Sequence, residues 1–410
     1  MTTPSRELPP TAGLPLRWGD FRPGSPRTLS DSLAALIELP PDRLTLTCSG
    51  TAALVVALTA LQRRGRQRRD VIVPAYTCPL VALAVAHCGL RLRLCDLRRG
   101  HFDMDADALR RLCGPNTLAI VPTHFGGRLA DMAGPLRCAR AVGARVIEDA
   151  AQALGARHAD GSPAGTLGDI GLYSLAAGKG LSIYEGGAVI AREAMLAQRL
   201  RACAQELLPR RWRWEIRRSA ELLGYGLFYG PRGLRWVYGR NVRRALARDQ
   251  PAEAAQDVFP SEIPLHRVGR WRQAIGARAS ARLPEFLDAA RKRALLRCSQ
   301  MRAIEGVEIL SDRTGERGTW PALLLLLSDP AARDAALAKL WGAGLGVSRL
   351  FAHALPDYDY LRGVVAPAQV PNARDFAARL LSIGNSQWLD DVAFARIVEV
   401  LQESCRDARA

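Results

Sequence analysis

Between residues 71 and 190 short apolar runs alternate with helix-length segments, and this alternation constrains the fold more than any other feature of the chain. The strand-length runs are 71–73, 90–95, 118–121, 145–147, 171–174 and 188–190, most of them continuous in Val, Ile, Leu or Ala. Helical segments at 52–62, 79–87, 105–112 and 132–142 lie around and between them. Strands apolar on both faces and joined by helical crossovers predict an α/β fold, a mostly parallel sheet covered by helices. On such sheets ligands collect at the carboxyl ends of the strands.

A chain of 410 residues is too long for one small domain. The expected division is an N-terminal segment 1–30, a large domain 31–204, a distinct stretch 205–254, and a smaller C-terminal α/β domain 255–410. The last should hold a long helix at 274–300, a strand at 322–327, and helices at 331–341 and 391–403. No internal repeat is evident.

Composition narrows the class. Hydrophobic residues make up 48% and charged residues 24%, as in folded soluble domains. No apolar run approaches the length needed to span a bilayer, and no signal peptide is evident, so a cytoplasmic location is expected. The nine cysteines include no CxxC pair and no His cluster at zinc spacing, so neither a disulfide framework nor a metal is expected. The net charge of +17 rests almost wholly on arginine, because only Lys179, Lys292 and Lys339 are lysines. Such a bias is not read as nucleic-acid binding, although a basic surface favours anionic ligands.

Among so few lysines, Lys179 stands between Gly178 and Gly180, and Asp149 precedes it by thirty residues at the end of a buried strand. A lysine and a carboxylate in this arrangement suit pyridoxal phosphate. The amine bonds the cofactor's aldehyde and moves a proton between carbon centres, while the carboxylate keeps the pyridine nitrogen protonated. Asp149 as a mere helix cap is the competing possibility. A phosphate-binding P-loop is excluded, since it requires glycine at 173 and Ser or Thr at 180, where this chain has Tyr173 and Gly180. No GxSxG elbow is present.

The ordered motifs Ser49-Gly50-Thr51-Ala52-Ala53-Leu54, Val73-Pro74-Ala75-Tyr76-Thr77, Pro122-Thr123-His124-Phe125-Gly126, Val146 to Gln152 and Gly168 to Lys179 then fall into place. Over residues 30–200 the chain resembles the DegT/DnrJ/EryC1/StrS family of fold-type-I, pyridoxal-phosphate-dependent sugar aminotransferases. The resemblance implies that Lys179 is the Schiff-base lysine and Asp149 the partner of the ring nitrogen. It places Gln152 at the cofactor's phenolic oxygen and Tyr76 as the aromatic residue stacked on the ring. Gly50, Thr51 and Ala52 would hold the phosphate at a helix N-terminus, with Thr51 also read as the helix cap, and Ser174 would add a hydroxyl. His124 and Arg267 are expected to line the substrate pocket, and Asp169 to serve as a hydrogen-bonding turn residue.

The implied reaction moves an amino group from glutamate or glutamine to a keto-sugar, nucleotide-linked or lipid-linked, in a homodimer. Relatives that deoxygenate carry histidine in place of the lysine. Also open are an enzyme of the same fold that acts on a non-sugar carbonyl or catalyses dehydration, and a non-catalytic regulatory or binding protein on this fold. The chain departs from the family at Gly180 and at Leu265, where the family has asparagines; the second would reach a phosphate across the dimer, a contact left to Asn241 or an arginine. The stretch 205–245, rich in Arg, Trp and Tyr, is open to two readings: a lid or dimer interface, or a peripheral membrane contact through 209–244.

Overall fold

A computed structural model describes residues 4–22, 24–25, 27–64 and 67–408. Its larger sheet has seven strands: β1 (Leu44–Thr47), β2 (Asp70–Pro74), β3 (Arg91–Cys95), β4 (Thr117–Ile120), β5 (Arg145–Asp149), β6 (Ile170–Ser174) and β7 (Gly187–Ala191). Their order is β1-β7-β6-β5-β4-β2-β3. The pairs from β6 across to β3 are parallel, and β7 runs antiparallel to both of its neighbours. All six expected strands are present. The seventh, β1, pairs in register with β7 from Leu44 opposite Ile190 to Thr47 opposite Gly187. Its Leu-Thr-Leu-Thr pattern signals no fully buried strand, because half of its side chains are apolar.

The buried helix Gly50–Arg64 lies against β6 and β7, and Ala52 through Leu58 are all inaccessible or nearly so. A helix apolar all round is what the interior of a layered fold requires. The edge strand β3 alternates instead, with exposed Arg91 and Arg93, a pattern that discourages pairing with another chain.

The smaller sheet is antiparallel, in the order β10 (Val347–Ser348), β11 (Leu380–Gly384), β9 (Ala322–Leu327) and β8 (Val307–Ile309). The Ala-Leu-Leu-Leu-Leu-Leu run of β9 is buried along its whole length, between helices on one face and the Tyr76–Phe125–Phe376 cluster on the other. The helix expected at 274–300 is two helices, Arg270–Ser280 and Leu283–Met301. Pro284 lacks an N–H and its ring would collide with the carbonyl four residues back, so the first helix has to end before it.

Residues 205–254 are helical, with Trp212–Phe228 as the main element, followed by Pro231–Leu234, a π turn at Arg235–Gly239, and Arg240–Leu246. Among the described residues, no helix is long and apolar enough to cross a membrane.

Candidate functional site

A cavity of about 370 Å³ opens at the carboxyl ends of the parallel strands. Asp149 ends β5 and Ser174 ends the adjacent β6, and both line the cavity together with Ser49, Gly50, Thr51, Gln152 and Lys179. Segments far apart in the sequence are thus brought to one place by parallel pairing and by the loops that follow each strand.

The first turn of the helix Gly50–Arg64 sits against the end of β6. A Cβ on Gly50 would lie 3.1 Å from the Cβ of Ser174, so glycine permits the close approach. Ser49, not Thr51, is the cap: its hydroxyl accepts from the N–H of Ala52 at 3.0 Å. The N–H of Ala52 is therefore already used, and Ala52 itself is fully buried and absent from the cavity wall. The expected phosphate cradle is left to Gly50, Thr51 and Ser174.

Lys179 follows Gly178, whose φ of +79° sets the loop. Thr11 Oγ1 donates to the carbonyl of Gly178 at 2.8 Å, and the Leu14 N–H to that of Gly180 at 2.9 Å. The N-terminal segment, which carries no catalytic motif, is thus what fixes the lysine loop and lines the cavity with Pro10 and Thr11. The ammonium of Lys179 makes no hydrogen bond or ion pair among the described residues. Burial lowers its pKa, and the charges of Cys78 and Asp149 oppose that shift. Asp149 accepts from the N–H of Ala151 at 3.0 Å through Oδ1 only. Burial raises its pKa, against that hydrogen bond and the charge of Lys179. Burial thus disfavours the charged form of both the acid and the amine, a perturbation that clusters at functional sites.

Gln152 uses its amide oxygen to accept from the N–H of Gly126 at 2.8 Å, which leaves the amide nitrogen as its remaining donor. Asp169 holds Arg145 and accepts from the N–H of Val146 at 2.9 Å, away from the cavity wall.

Three expected positions lie elsewhere. Tyr76 is not a platform in the cavity. It is buried between Phe125, Phe351 and Phe376, and its hydroxyl donates to the carbonyl of Phe351 at 2.8 Å. Thr77 and Cys78, just beyond it, face the cavity instead, and burial pushes the Cys78 thiol up to about 12. His124 does not line the pocket either. Its Nε2 lies 2.8 Å from Glu148 Oε1, and its Nδ1 accepts from the N–H of Ala130. Arg267 donates to the carbonyls of Leu208 and Gln205 at 2.8 and 3.0 Å, holding the C-terminal end of the helix Ala194–Leu207.

Strand alternation explains why adjacent acids have different fates. Asp149 meets the cavity, whereas Glu148 points into the protein and accepts from the N–H groups of Gly165, Leu167 and Gly168 at 2.5 to 2.9 Å. His158 joins it at 3.3 Å, and the ligand atoms of His124, Glu148 and His158 lie within 4.8 Å of one another. With both carboxylate oxygens already accepting from protein donors, this cluster is built as a hydrogen-bond hub that pins the 158–168 loop.

The wall opposite comes from residues that carried no sequence signal: Tyr238, Gln256, Asp257 and Phe259 from the middle of the chain, and Ser348, Arg349 and Phe351 beside the smaller sheet. Among the described residues Arg349 has no ion-pair partner, and its Nε is buried without a hydrogen-bond partner. Asp257 accepts from the N–H of Ala352 at 2.6 Å and the hydroxyl of Tyr358 at 2.9 Å, and burial raises its pKa to about 7. The folded chain therefore keeps this proton between the ordinary aspartate value of about 3.9 and pH ~7, while the unfolded chain releases it. The stability that Asp257 contributes is complete below the ordinary value and is lost as pH rises towards 7. Asp257→Asn, which preserves the shape without the titration, is expected to flatten the stability–pH curve in that window, as read from denaturant midpoints.

Residues 34–225 match the profile of the DegT/DnrJ/EryC1/StrS aminotransferase family. The UDP-N-acetyl-3-dehydro-alpha-D-glucosamine 3-aminotransferase of Acidithiobacillus ferrooxidans is 38% identical over 154 residues, 37% of this chain and 41% of that protein. The GDP-perosamine synthase of Caulobacter vibrioides is 36% identical over 167 residues, 40% of this chain and 44% of that protein. The chain thus spans less than half the length of the curated relatives it matches first. The solved structure of DesI with its TDP-sugar product superimposes with a TM-score of 0.74 at 21% identity, covering 99% of this chain and 94% of that one. That likeness extends the shared fold across the smaller sheet. Over residues 34–225, just under half of its length, the chain is thus similar to the DegT/DnrJ/EryC1/StrS aminotransferase family.

Proposed function

We propose that the chain is a pyridoxal-phosphate-dependent aminotransferase that passes an amino group from glutamate or glutamine to a keto-sugar. One observation carries this: Lys179, Asp149, Ser174 and the Gly50–Thr51 turn share one cavity at the strand ends. The residues fit the cofactor. A helix start whose Gly50 and Thr51 line the cavity beside a serine hydroxyl suits a phosphate, and a buried acid with a single hydrogen bond suits a cationic ring nitrogen, whose charge would favour its carboxylate form. When bound, pyridoxal phosphate supplies an electron sink for the reacting carbon.

The chain's own residues do the rest. Gly50, Thr51 and Ser174 would hold the phosphate, and Asp149 would hold the proton on the ring nitrogen. Lys179, whose pKa burial lowers, would hold the cofactor through Nζ and, once displaced by the donor's amine, would carry the substrate proton between carbon centres. Arg349, on the opposite wall with its Nε unsatisfied, receives an anionic group of the substrate. The relatives named for sugar-nucleotide amination support the choice of keto-sugar, and the family resemblance supports a homodimer.

The test is to incubate the purified protein with pyridoxal phosphate, glutamate or glutamine, and a panel of nucleotide-linked keto-sugars. Amino-sugar formation, read by mass spectrometry, is expected. A protein that neither takes up the cofactor nor aminates any carbonyl in the panel would sink the proposal. Arg349→Ala is expected to raise KM about tenfold or more, with a smaller change in kcat, because the lost contact is made equally in ground and transition states.

A further inference from the structure

The helix Trp212–Phe228 has two unlike faces. On one, Trp214 Nε1 donates to Glu185 at 3.1 Å, Arg218 pairs with Glu185, Glu215 pairs with Arg272 at 2.6 Å, and Leu222 is fully buried. That face is committed to the protein. On the other, Trp212, Ile216, Leu223 and Leu227 recur at the four- and seven-residue spacings that align on one side of a helix. They are 67%, 62%, 41% and 58% exposed. The turns that follow add Trp236 and Val237, 63% and 50% exposed.

Cations accompany this apolar stripe. Arg210, Arg211, Arg213, Arg232, Arg240 and Arg244 are exposed and have no acidic partner among the described residues. Arg235, Arg240, Arg243 and Arg244 surround a recess of about 450 Å³ with Trp236 on its wall, and of these only Arg243 is neutralised, by Glu7 at 2.6 Å.

We infer that this outer face of residues 210–244 is a docking surface for an anionic lipid bilayer. A helix with one apolar stripe and flanking arginines lies in the headgroup region, with its Trp side chains at the boundary and its cations on lipid phosphates. No helix among the described residues can cross, so the contact is peripheral. A second copy of the chain is the rival occupant, and charge decides against it. Each copy carries +17, and a two-fold contact through this patch would set unpaired arginines against their own counterparts. An acidic bilayer neutralises them instead.

The inference does not rest on the proposed activity, since none of the exposed apolar residues and arginines named above lines the cavity. The full chain is expected to sediment with phosphatidylcholine–phosphatidylglycerol vesicles, to ignore pure phosphatidylcholine, and to be released by molar salt. The double variant Arg240→Glu with Arg244→Glu is expected to bind acidic vesicles at least about tenfold more weakly. Ile216→Ser with Leu223→Ser should weaken binding while leaving the circular dichroism spectrum and the oligomeric state unchanged. Lys179→Ala should bind vesicles as the parent does, which separates this result from any failure of the enzyme assay. Equal binding to neutral and acidic vesicles, no binding to either, or a dimer turned monomer by the Ile216 and Leu223 changes would each overturn it.

Discussion

Lys179→Ala is expected to abolish amino transfer, lowering kcat/KM by about 10⁴ or more, because in the proposed reaction one side chain would both bond the cofactor and carry the proton. No other lysine can replace it: Lys339 is paired with Glu403 at 2.8 Å on the surface, and Lys292 lies outside the cavity wall. The loss should be chemical rather than structural, since the ammonium of Lys179 makes no hydrogen bond among the described residues. Denaturant midpoints should therefore stay within about 1 kcal/mol of the parent. The variant should still take up pyridoxal phosphate reversibly, through Gly50, Thr51 and Ser174. Borohydride should fix the cofactor's mass on the peptide containing Lys179 in the parent and fix none in the variant. Activity within tenfold of the parent would mean that the chemistry lies elsewhere.

The second large effect concerns stability. Glu148→Ala removes the acceptor for three backbone N–H groups and two imidazoles, all but the Leu167 bond fully buried. Donors left unpaired in a protein interior are costly, and the expected loss is about 3–5 kcal/mol. The same network gives a pH signature. Burial alone would raise the Glu148 pKa, but the bonds from His124, His158 and Gly165 hold the carboxylate well below the usual range. Its contribution is therefore present above the ordinary glutamate value of about 4.3 and is lost as pH falls below it. Parent and variant should therefore differ by a constant amount in chemical denaturation from neutral pH down to about 4.3, and converge only in more acidic solution. A variant as stable as the parent at neutral pH would contradict the role given to this hub.

Much of the larger sheet could be read from the chain, because a strand buried on both faces has little choice but to be written in Val, Ile, Leu and Ala. The pairing of Lys179 with Asp149 was readable for a related reason: isolated chemistry-bearing residues at the ends of apolar strands converge wherever the strands are parallel. Tyr76 shows the limit. The motif places it near the site, yet whether residue 76 or 78 faces the cavity depends on the turn after β2, which no local signal determines. His124 and Arg267 mislead for a similar reason, since a polar side chain satisfied by Glu148, or by the carbonyls of Leu208 and Gln205, looks in sequence like one held ready for a ligand.

Lys179 and Asp149 could thus be picked out from apolar periodicity and a glycine-flanked lysine in a chain nearly devoid of lysine, and Gly50, Thr51, Gln152 and Ser174 from the family resemblance. The tertiary structure alone decided the opposite wall. Tyr238, Asp257 and Arg349 come from segments without motif or period, and only the docking of the smaller sheet brings them there. It also decided that the N-terminal segment clamps the lysine loop through Thr11 and Leu14. The physical reason is one of range. Backbone periodicity is written in neighbouring residues, whereas a cavity wall is assembled by packing between elements hundreds of residues apart.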